Sequence, residues 1–383
     1  MCGIAGEINF KNEVIFNDYH LNMQNALANR GPDDRGLFKD ENCVFLHTRL
    51  AVIDPEKGKQ PMVAKFGGAT YVICYNGELY NTNEIREDLK SNGFTFETST
   101  DTEVVLKAYI FWGADAPQKF NGIYAFAVFC KEKKELFIAR DKMGVKPFFY
   151  AERGESFIFA SELKSLLCHP KIKPEIDEYG IAELLFIGPG RTPGRGVFKD
   201  VFELKPAFCG YFTPKGLTTK QYFKLTDREN TDSPEEIIKK VRFLVTDSIE
   251  RQLISDVPVG TFLSGGLDSS IISSVAARHF AKKGKRLKTF SVTYKDNEKH
   301  FKSSRFQPNS DDEFIKIMVE YLGSDHTFVT VDTDQVVNAL YSAVDARDLP
   351  GMADVDSSLL LFCGEIKKQV TVALSGECAD EIF

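Results

Sequence analysis

Two hydrophobic rhythms run along this chain, and they do not suit the same kind of sheet. Up to about residue 165 the apolar residues fall in short strand-length runs, at 43–46, 69–75, 122–130, 135–139, 148–150 and 157–160, bounded by Gly, Asn, Asp or Pro. Apolar residues at three-to-four spacing predict helices over 18–29, 83–92 and 101–112, the last opening with Asp and Glu in its first turn. Blocks of strands with blocks of helices point to an α+β sandwich. Between about 171 and 232 the pattern fades, with Gly188-Pro189-Gly190 and Thr192-Pro193-Gly194 marking a loop-rich connection. A second rhythm then begins. A helix opens at Ser233-Pro234-Glu235-Glu236 and runs to about 254, followed by a strand at 257–263, a turn at 264–268 and a helix at 269–283. A strand at 287–294, a helix at 311–322 and a strand at 327–331 continue the alternation, which predicts a parallel α/β sheet with helices on both faces. A length of 383 residues accommodates two such domains.

Composition removes several function classes. The formal net charge is -7 and no long basic run occurs, so a general electrostatic footprint for nucleic acid is missing. No run approaches the ~20 apolar residues that span a bilayer, and the N-terminus lacks a basic segment followed by an apolar one. A cytoplasmic chain without membrane contact is expected. The eight cysteines are scattered singly, as buried small hydrophobes in a reducing compartment would be, and the six histidines show no His-Glu-x-x-His spacing.

Cys2 follows the initiator methionine in the small-residue segment Cys2-Gly3-Ile4-Ala5-Gly6, which lets backbone and substrate come close to the thiol. Once Met1 is removed, the same residue carries a thiol and a free α-amine, whose ordinary pKa values are roughly 8.5 and 7.7–8.0. The amine can accept the thiol proton, so one residue supplies nucleophile and base. Asn76 and Gly77 follow an apolar strand and could converge on a developing oxyanion. An Asn-Gly hairpin turn is the competing reading of the same pair.

Farther along, Ser264-Gly265-Gly266-Leu267-Asp268-Ser269-Ser270 lies between a buried strand and a helix. Successive N–H groups backed by a helix N-terminus make an anion cradle. The run lacks the Gly-Lys-Ser/Thr of a Walker loop, so γ-phosphoryl transfer of that kind is not indicated.

Six segments occur in an order that resembles the class II glutamine amidotransferases: Cys2–Gly6, Arg30–Asp33, His47–Asp54, Gln60–Met62, Tyr75–Asn81 and Thr100–Glu103. With the Ser264–Ser270 loop, which is similar to the pyrophosphate loop of ATP pyrophosphatases, the whole chain looks most like the glutamine-dependent asparagine synthetases. That resemblance implies an N-terminal-nucleophile amidotransferase domain over 2–205 and the N-terminal part of a synthetase domain over 206–383. Cys2 would be acylated by glutamine and release ammonia, with Asn76 and Gly77 as the oxyanion hole. Arg49, Val52, Asn76, Gly77, Glu78 and Asp101 would bind glutamine, Arg49 at the α-carboxylate and Glu78 with Asp101 at the α-ammonium. A surface salt bridge for Arg49 and a helix N-cap for Asp101 are the plainer readings.

In the second domain the resemblance implies ATP as substrate, bound by Leu263, Ser264, Gly265, Gly266, Asp268, Ser269 and Val292, together with Ser375 and Gly376 of a second loop. Glu377 would lie near the activated aspartate, and Asp268 and Asp380 would hold Mg²⁺. Cys378 stands where many members have glycine. Members continue well over a hundred residues past this loop, supplying more of the aspartate pocket and a lysine for the adenylation transition state. A related amidotransferase for another carboxylate, or a chain keeping only glutaminase or regulatory function, are the alternatives. Glutamine, aspartate and ATP are the expected small-molecule partners, and a homodimer is compatible with the sequence.

Overall fold

The computed structural model describes residues 1–302, 305 and 310–379. Two compact units divide the chain at Asp227 and Arg228.

The first unit holds β1 (Gly3–Asn9), α1 (Asp18–Ala26), β2 (Asp34–Asp40), β3 (Cys43–Arg49), β4 (Met62–Phe66), β5 (Ala69–Leu79), α2 (Thr82–Ser91) and α3 (Asp101–Trp112). It continues with β6 (Gly122–Cys130), β7 (Glu135–Arg140), β8 (Phe149–Arg153), β9 (Ser156–Ala160), α4 (Leu163–Leu167), β10 (Phe202–Glu203), β11 (Phe208–Thr213) and β12 (Gly216–Gln221). These strands form two antiparallel sheets, ordered β10-β8-β9-β1-β3-β2 and β12-β11-β7-β6-β5-β4.

Side-chain alternation along each strand decides the layering. Ile4, Ile8, Phe45, Phe157 and Phe159 of the first sheet meet Val72, Cys74, Ala127, Phe129 and Ile138 of the second, so the sheets pack face to face. The alternate residues Tyr71, Ile73, Tyr75 and Phe137 face Ile85, Leu89, Val104, Val105 and Tyr109 of α2 and α3. Helix α1 packs on β1 and β3, completing the order helix, sheet, sheet, helix. Each fully buried Phe in the inter-sheet layer contributes about 1.5–3 kcal/mol. The expected α+β sandwich is the observed one.

Three expectations change in detail. Asn76 and Gly77 are not a hairpin turn: β5 runs through them to Leu79, with Asn76 opposite Ala125 and Gly77 opposite Tyr124 of β6. Helix α1 stops at Ala26 because tertiary bonds claim the next residues: Thr48 Oγ1 donates to Leu27 O at 3.0 Å and Arg30 Nε to Cys2 O at 2.8 Å. The stretch after 205 is not connection: β11 pairs with β7 and β12 with β11, so residues 206–221 extend a sheet of the first unit.

The second unit begins with α5 (Pro234–Gln252), capped by the Ser233 and Glu236 box, and continues with β13 (Val259–Phe262), α6 (Leu267–Lys282) and β14 (Lys288–Tyr294). After α7 (Asp311–Leu322) come β15 (Asp325–Val331), α8 (Thr333–Arg347), α9 (Ala353–Ile366) and β16 (Val372–Leu374). The sheet is parallel in the order β15-β14-β13-β16. Ile249, Val275 and Ala276 cover one face over Val259, and Phe362 and Ile366 cover the other over Phe290 and Val329. This is the expected parallel sheet with helices on both faces.

Candidate active site

The register of two central strands brings the first candidate residues together. Gly3 of β1 lies opposite Thr48 of β3, so Cys2 and Arg49, one residue beyond each, sit at the same end of the first sheet. They border a pocket that opens to solvent, whose wall also includes Val52, Gly77, Glu78 and Asp101. Cys2 is half-buried, and its Sγ lies 3.6 Å from Leu50 O. Burial pushes the thiol above its ordinary value, with the Leu50 contact opposing.

Arg49 makes no salt bridge with a described residue. It is buried, and its Nη1 donates to Pro55 O at 2.7 Å while Nη2 donates to Asp54 O at 2.7 Å and Ile53 O at 3.2 Å. A Cβ on Gly58 would lie 2.2 Å from Nη2, so glycine at 58 leaves the guanidinium its space. Of the five N–H donors on the fork, two remain for an anion in the pocket: one on Nη1 and the one on Nε.

Strand β5 supplies the opposite wall. Backbone N–H groups of alternate residues point to the same edge of a strand. On the edge beyond β4, Tyr75 N donates to Gln60 Oε1 at 2.7 Å and Leu79 N donates to Asp101 Oδ2 at 3.0 Å. Gly77 N–H lies between these two on that edge, facing the pocket. A Cβ at 77 would come within 2.6 Å of Ile123 O and 2.7 Å of Tyr124 Cβ, so only glycine fits. Asn76, the residue before, has its side chain on the other face of β5, with Cys74 in the layer between the sheets and toward the sheet whose strand β1 begins just after Cys2. It is 1% exposed, and its Nδ2 has no hydrogen-bond partner among the described residues. A buried amide donor without a partner is costly unless something else uses it.

Two carboxylates close the far end. Asp101 lies in the first turn of α3, but the N-cap is Thr100, whose side chain accepts from Glu103 N. Asp101 is buried and accepts from Tyr75 Oη at 2.9 Å as well as from Leu79 N. Burial raises its pKa, with those bonds opposing. Glu78 is pushed up to about 8, first by burial and then by repulsion from Asp101, while Lys146 pulls it down. The pocket thus holds two carboxyls that resist joint ionisation, an arrangement that a bound ammonium relieves. Opposite charges at two ends match a free amino acid.

Some residues of this site are not evident from sequence. Gln60 joins the walls, since its Nε2 donates to Thr102 Oγ1 at 3.2 Å while its Oε1 caps β5. Arg30, paired with Glu162 at 2.9 Å, holds the Cys2 carbonyl. Lys146 is buried and within electrostatic reach of Cys2 and Glu78. Gln60 and Arg30 occur in the ordered segments; Lys146 has no such signal.

In the second unit the Ser264–Ser269 turn joins β13 to α6. Ser264 Oγ and Ser269 Oγ are 3.0 Å apart, and Ser269 Oγ also receives Ser264 N–H at 3.2 Å. Gly265 has φ +80, and a Cβ there would meet Phe314 Cβ at 2.9 Å, so the turn requires glycine. Gly266 is the N-cap of α6, which places Asp268 in its first turn. The turn after β16 packs against it: a Cβ on Gly376 would lie 3.0 Å from Asp268 Cβ and 3.4 Å from Ser269 N. Ser264, Gly265, Gly266, Asp268, Ser269 and Gly376 are therefore adjacent. Ser375 Oγ accepts from Glu377 N at 3.2 Å. Leu263 is buried, and its carbonyl accepts from Ser291 Oγ, while Val292 lies one strand over. Cys378 adopts φ +66, the left-handed conformation that glycine favours. Asp380 lies outside the described residues. Among the described residues no cluster of three or more His, Cys, Asp or Glu could hold a metal, and no helix is long and apolar enough to cross a membrane.

Each unit matches a known domain family. A glutamine amidotransferase domain family matches residues 1–223 and an asparagine synthase family matches residues 240–383. Asparagine synthetase [glutamine-hydrolyzing] 3 of Bacillus subtilis is 49% identical over 385 residues, covering 100% of this chain and 63% of the relative. Asparagine synthetase [glutamine-hydrolyzing] 1 of the same organism is 36% identical over 396 residues, covering 100% of this chain and 58% of the relative. The chain thus spans less than two thirds of the length of these relatives.

Proposed function

The chain belongs to the asparagine synthetase family, and from that premise we propose that it hydrolyses glutamine at Cys2 and directs the ammonia to an aspartyl adenylate made from ATP and aspartate. The observation that carries the first half is the single pocket joining a half-buried thiol, an arginine at one end and two mutually repelling carboxyls at the other. Arg49 takes the α-carboxylate of glutamine, Glu78 and Asp101 take the α-ammonium, and Val52 bounds the space beside the side chain. This fixes the carboxamide next to Cys2.

Mature Cys2 attacks the carboxamide carbon through Sγ, and its α-amine receives the thiol proton. Gly77 N–H and the unpartnered Asn76 Nδ2 receive the charge that develops on the carbonyl oxygen. The amine then returns the proton to the departing ammonia, leaving a γ-glutamyl thioester that water cleaves.

In the second unit, Ser264, Gly265, Gly266, Ser269 and Gly376 hold the phosphates of ATP at the start of α6, and Leu263 and Val292 lie at the nucleoside end. Ser375 adds a contact to the nucleotide, and Glu377 lies near the aspartate to be activated. The donor set at this turn is one carboxylate, Asp268, beside an N–H cradle, which suits a Mg²⁺ ion shared with phosphate oxygens. Bound there, the ion would offset phosphate charge as pyrophosphate leaves, with Asp380 as a second carboxylate. A cytoplasmic setting fits these substrates.

The test separates the two halves. Purified chain should form glutamate from glutamine and release pyrophosphate from ATP only when aspartate is present. Cys2→Ala should lose the first reaction and keep the second. Pyrophosphate release that another carboxylate supports and aspartate does not would overturn the choice of acceptor.

A further inference from the structure

Tyr75 stands in β5 immediately before Asn76 and Gly77, is 2% exposed, and is held at three of its polar atoms. Its N–H donates to Gln60 Oε1 at 2.7 Å, and its carbonyl accepts from His47 Nε2 at 3.2 Å. Burial lowers that imidazole to about 4, so near neutral pH the ring is uncharged with its proton on Nε2. The third atom is the phenol oxygen, which donates to Asp101 Oδ2 at 2.9 Å. Leu79 N–H, at the end of the same strand, donates to the same oxygen at 3.0 Å. A carboxylate oxygen offers about two lone-pair sites. Strand β5 thus fills Oδ2 and leaves Oδ1 as the oxygen open to a ligand in the pocket that Tyr75 and Asp101 both line.

Packing alone does not call for the hydroxyl. The layer around the ring is apolar, with Ile73, Val104, Val105 and Phe126, and a phenylalanine ring would fill the same space. What the oxygen adds is a hydrogen bond to a buried carboxyl, and it distinguishes the two acids at this end of the pocket. Asp101 has two donors from β5, whereas Glu78 accepts no hydrogen bond from a described residue. Because the pair resists joint ionisation, hydrogen bonds to one member place the first charge there. The phenol remains protonated to supply its bond, since burial first, and then Asp101 and Glu78, push its ionisation well above the ordinary range.

We propose that Tyr75 is a positioning residue for recognition of the α-ammonium: its hydroxyl holds Asp101 Oδ2, so that the carboxylate turns Oδ1 to the ligand and the site prefers an amide carrying an α-amine. Tyr75 itself touches no reacting atom. This rests on the glutamine reading of the pocket.

Tyr75→Phe is compared with the unmodified chain, both with Met1 removed, on glutamine and on 4-carbamoylbutanoate, which is glutamine without its α-amine. Loss of one hydrogen bond to a charged group raises KM for glutamine roughly 10-fold in the variant, with kcat held within about twofold. The kcat/KM for 4-carbamoylbutanoate is unchanged, so the preference between the two amides falls by the same factor. Asp101→Asn loses at least as much of that preference, and Tyr75→Phe added to it takes away no more. An unmoved KM for glutamine, equal weakening of both amides, or a fall in kcat at constant KM overturns the proposal. A Tyr75→Phe chain that does not fold overturns it too, because the hydroxyl would then serve the core. The same preference is read without turnover by calorimetry in Cys2→Ala with and without Tyr75→Phe. An unmodified chain that binds glutamine over the analogue and does not hydrolyse it would sink the hydrolysis reading alone, with the binding preference still reporting on Tyr75. A chain with no preference for glutamine would remove Asp101 from the α-ammonium and the proposal with it.

Discussion

Replacing Asn76 by alanine should separate catalysis from stability. Its Nδ2 is buried without a partner among the described residues, so truncation breaks no hydrogen bond to them at that atom. Removing an orphaned buried donor relieves a cost of about 1–3 kcal/mol. Against this, the missing atoms leave a small cavity in a layer where Cys74 and Ala125 are fully buried, with an opposing cost of roughly the same size. The two nearly cancel, and the unfolding free energy should change by no more than about 1 kcal/mol. Catalysis has no such compensation. A donor aimed at a developing oxyanion contributes about 2.7–4 kcal/mol, so kcat for glutamine hydrolysis should fall roughly 10²–10³-fold with KM nearly constant. Initial rates of glutamate formation and a denaturant titration on the same preparation give both numbers. A variant that keeps kcat would exclude Asn76 from the oxyanion site, and so would one that loses kcat/KM through KM alone, because Asn76 would then bind the ground state.

Four other outcomes follow from the same geometry. Because the pKa of Glu78 is raised to about 8, its carboxylate is disfavoured in the free protein below that pH, whereas bound α-ammonium favours it. Glutamine binding near neutrality should therefore release protons, visible by calorimetry in buffers of different ionisation enthalpy, and identical heats would contradict the carboxyl pair. The linkage has the opposite sign for folding: unfolded Glu78 ionises near its ordinary value and the folded group does not, so its contribution to stability is lost as pH rises through about 8. Glu78→Gln should accordingly stabilise the free protein most above that pH while weakening glutamine binding. Gly77→Ala places a Cβ 2.6 Å from Ile123 O and should cost about 1–3 kcal/mol of stability along with glutaminase activity, and a folded, active variant would mean that β5 is placed wrongly. Asp268→Asn should abolish aspartate-dependent pyrophosphate release while leaving glutamine hydrolysis intact, and retained release would remove Asp268 from the nucleotide site.

How much of this was legible in the sequence depended on whether a signal was local. The apolar run at 69–75 announced β5, but its continuation through Asn76, Gly77 and Glu78 was hidden, because those polar residues are held in the strand by Ala125, Tyr124 and Ile123 of β6. Arg49 was recognisable from its segment. The carbonyl cage around it was not, since it depends on the loop at residues 53–55, where Asp54 has φ +46. Lys146 reads as an ordinary surface lysine before a proline, and its burial is evident only once Arg140 and Asp141 are seen to organise the loop. The hairpin of β11 and β12 was lost in a stretch rich in Pro and Gly because its partner, β7, lies about 70 residues earlier. The turn at Ser264 was easier, since Ser and Gly between a buried strand and an amphipathic helix carry their own backbone logic.

Cys2 Sγ, as the nucleophile, carries the acyl group during turnover, and acid quenching detects it there. Chain with Met1 removed is mixed with glutamine, quenched during turnover, digested under acid and analysed by mass spectrometry. A γ-glutamyl thioester should appear on the N-terminal peptide at Cys2, lost on treatment with hydroxylamine and missing from Cys2→Ala. Turnover of glutamine with Cys2 unmodified at every quench time, and with Cys2→Ala as active as the unmodified chain, would contradict it.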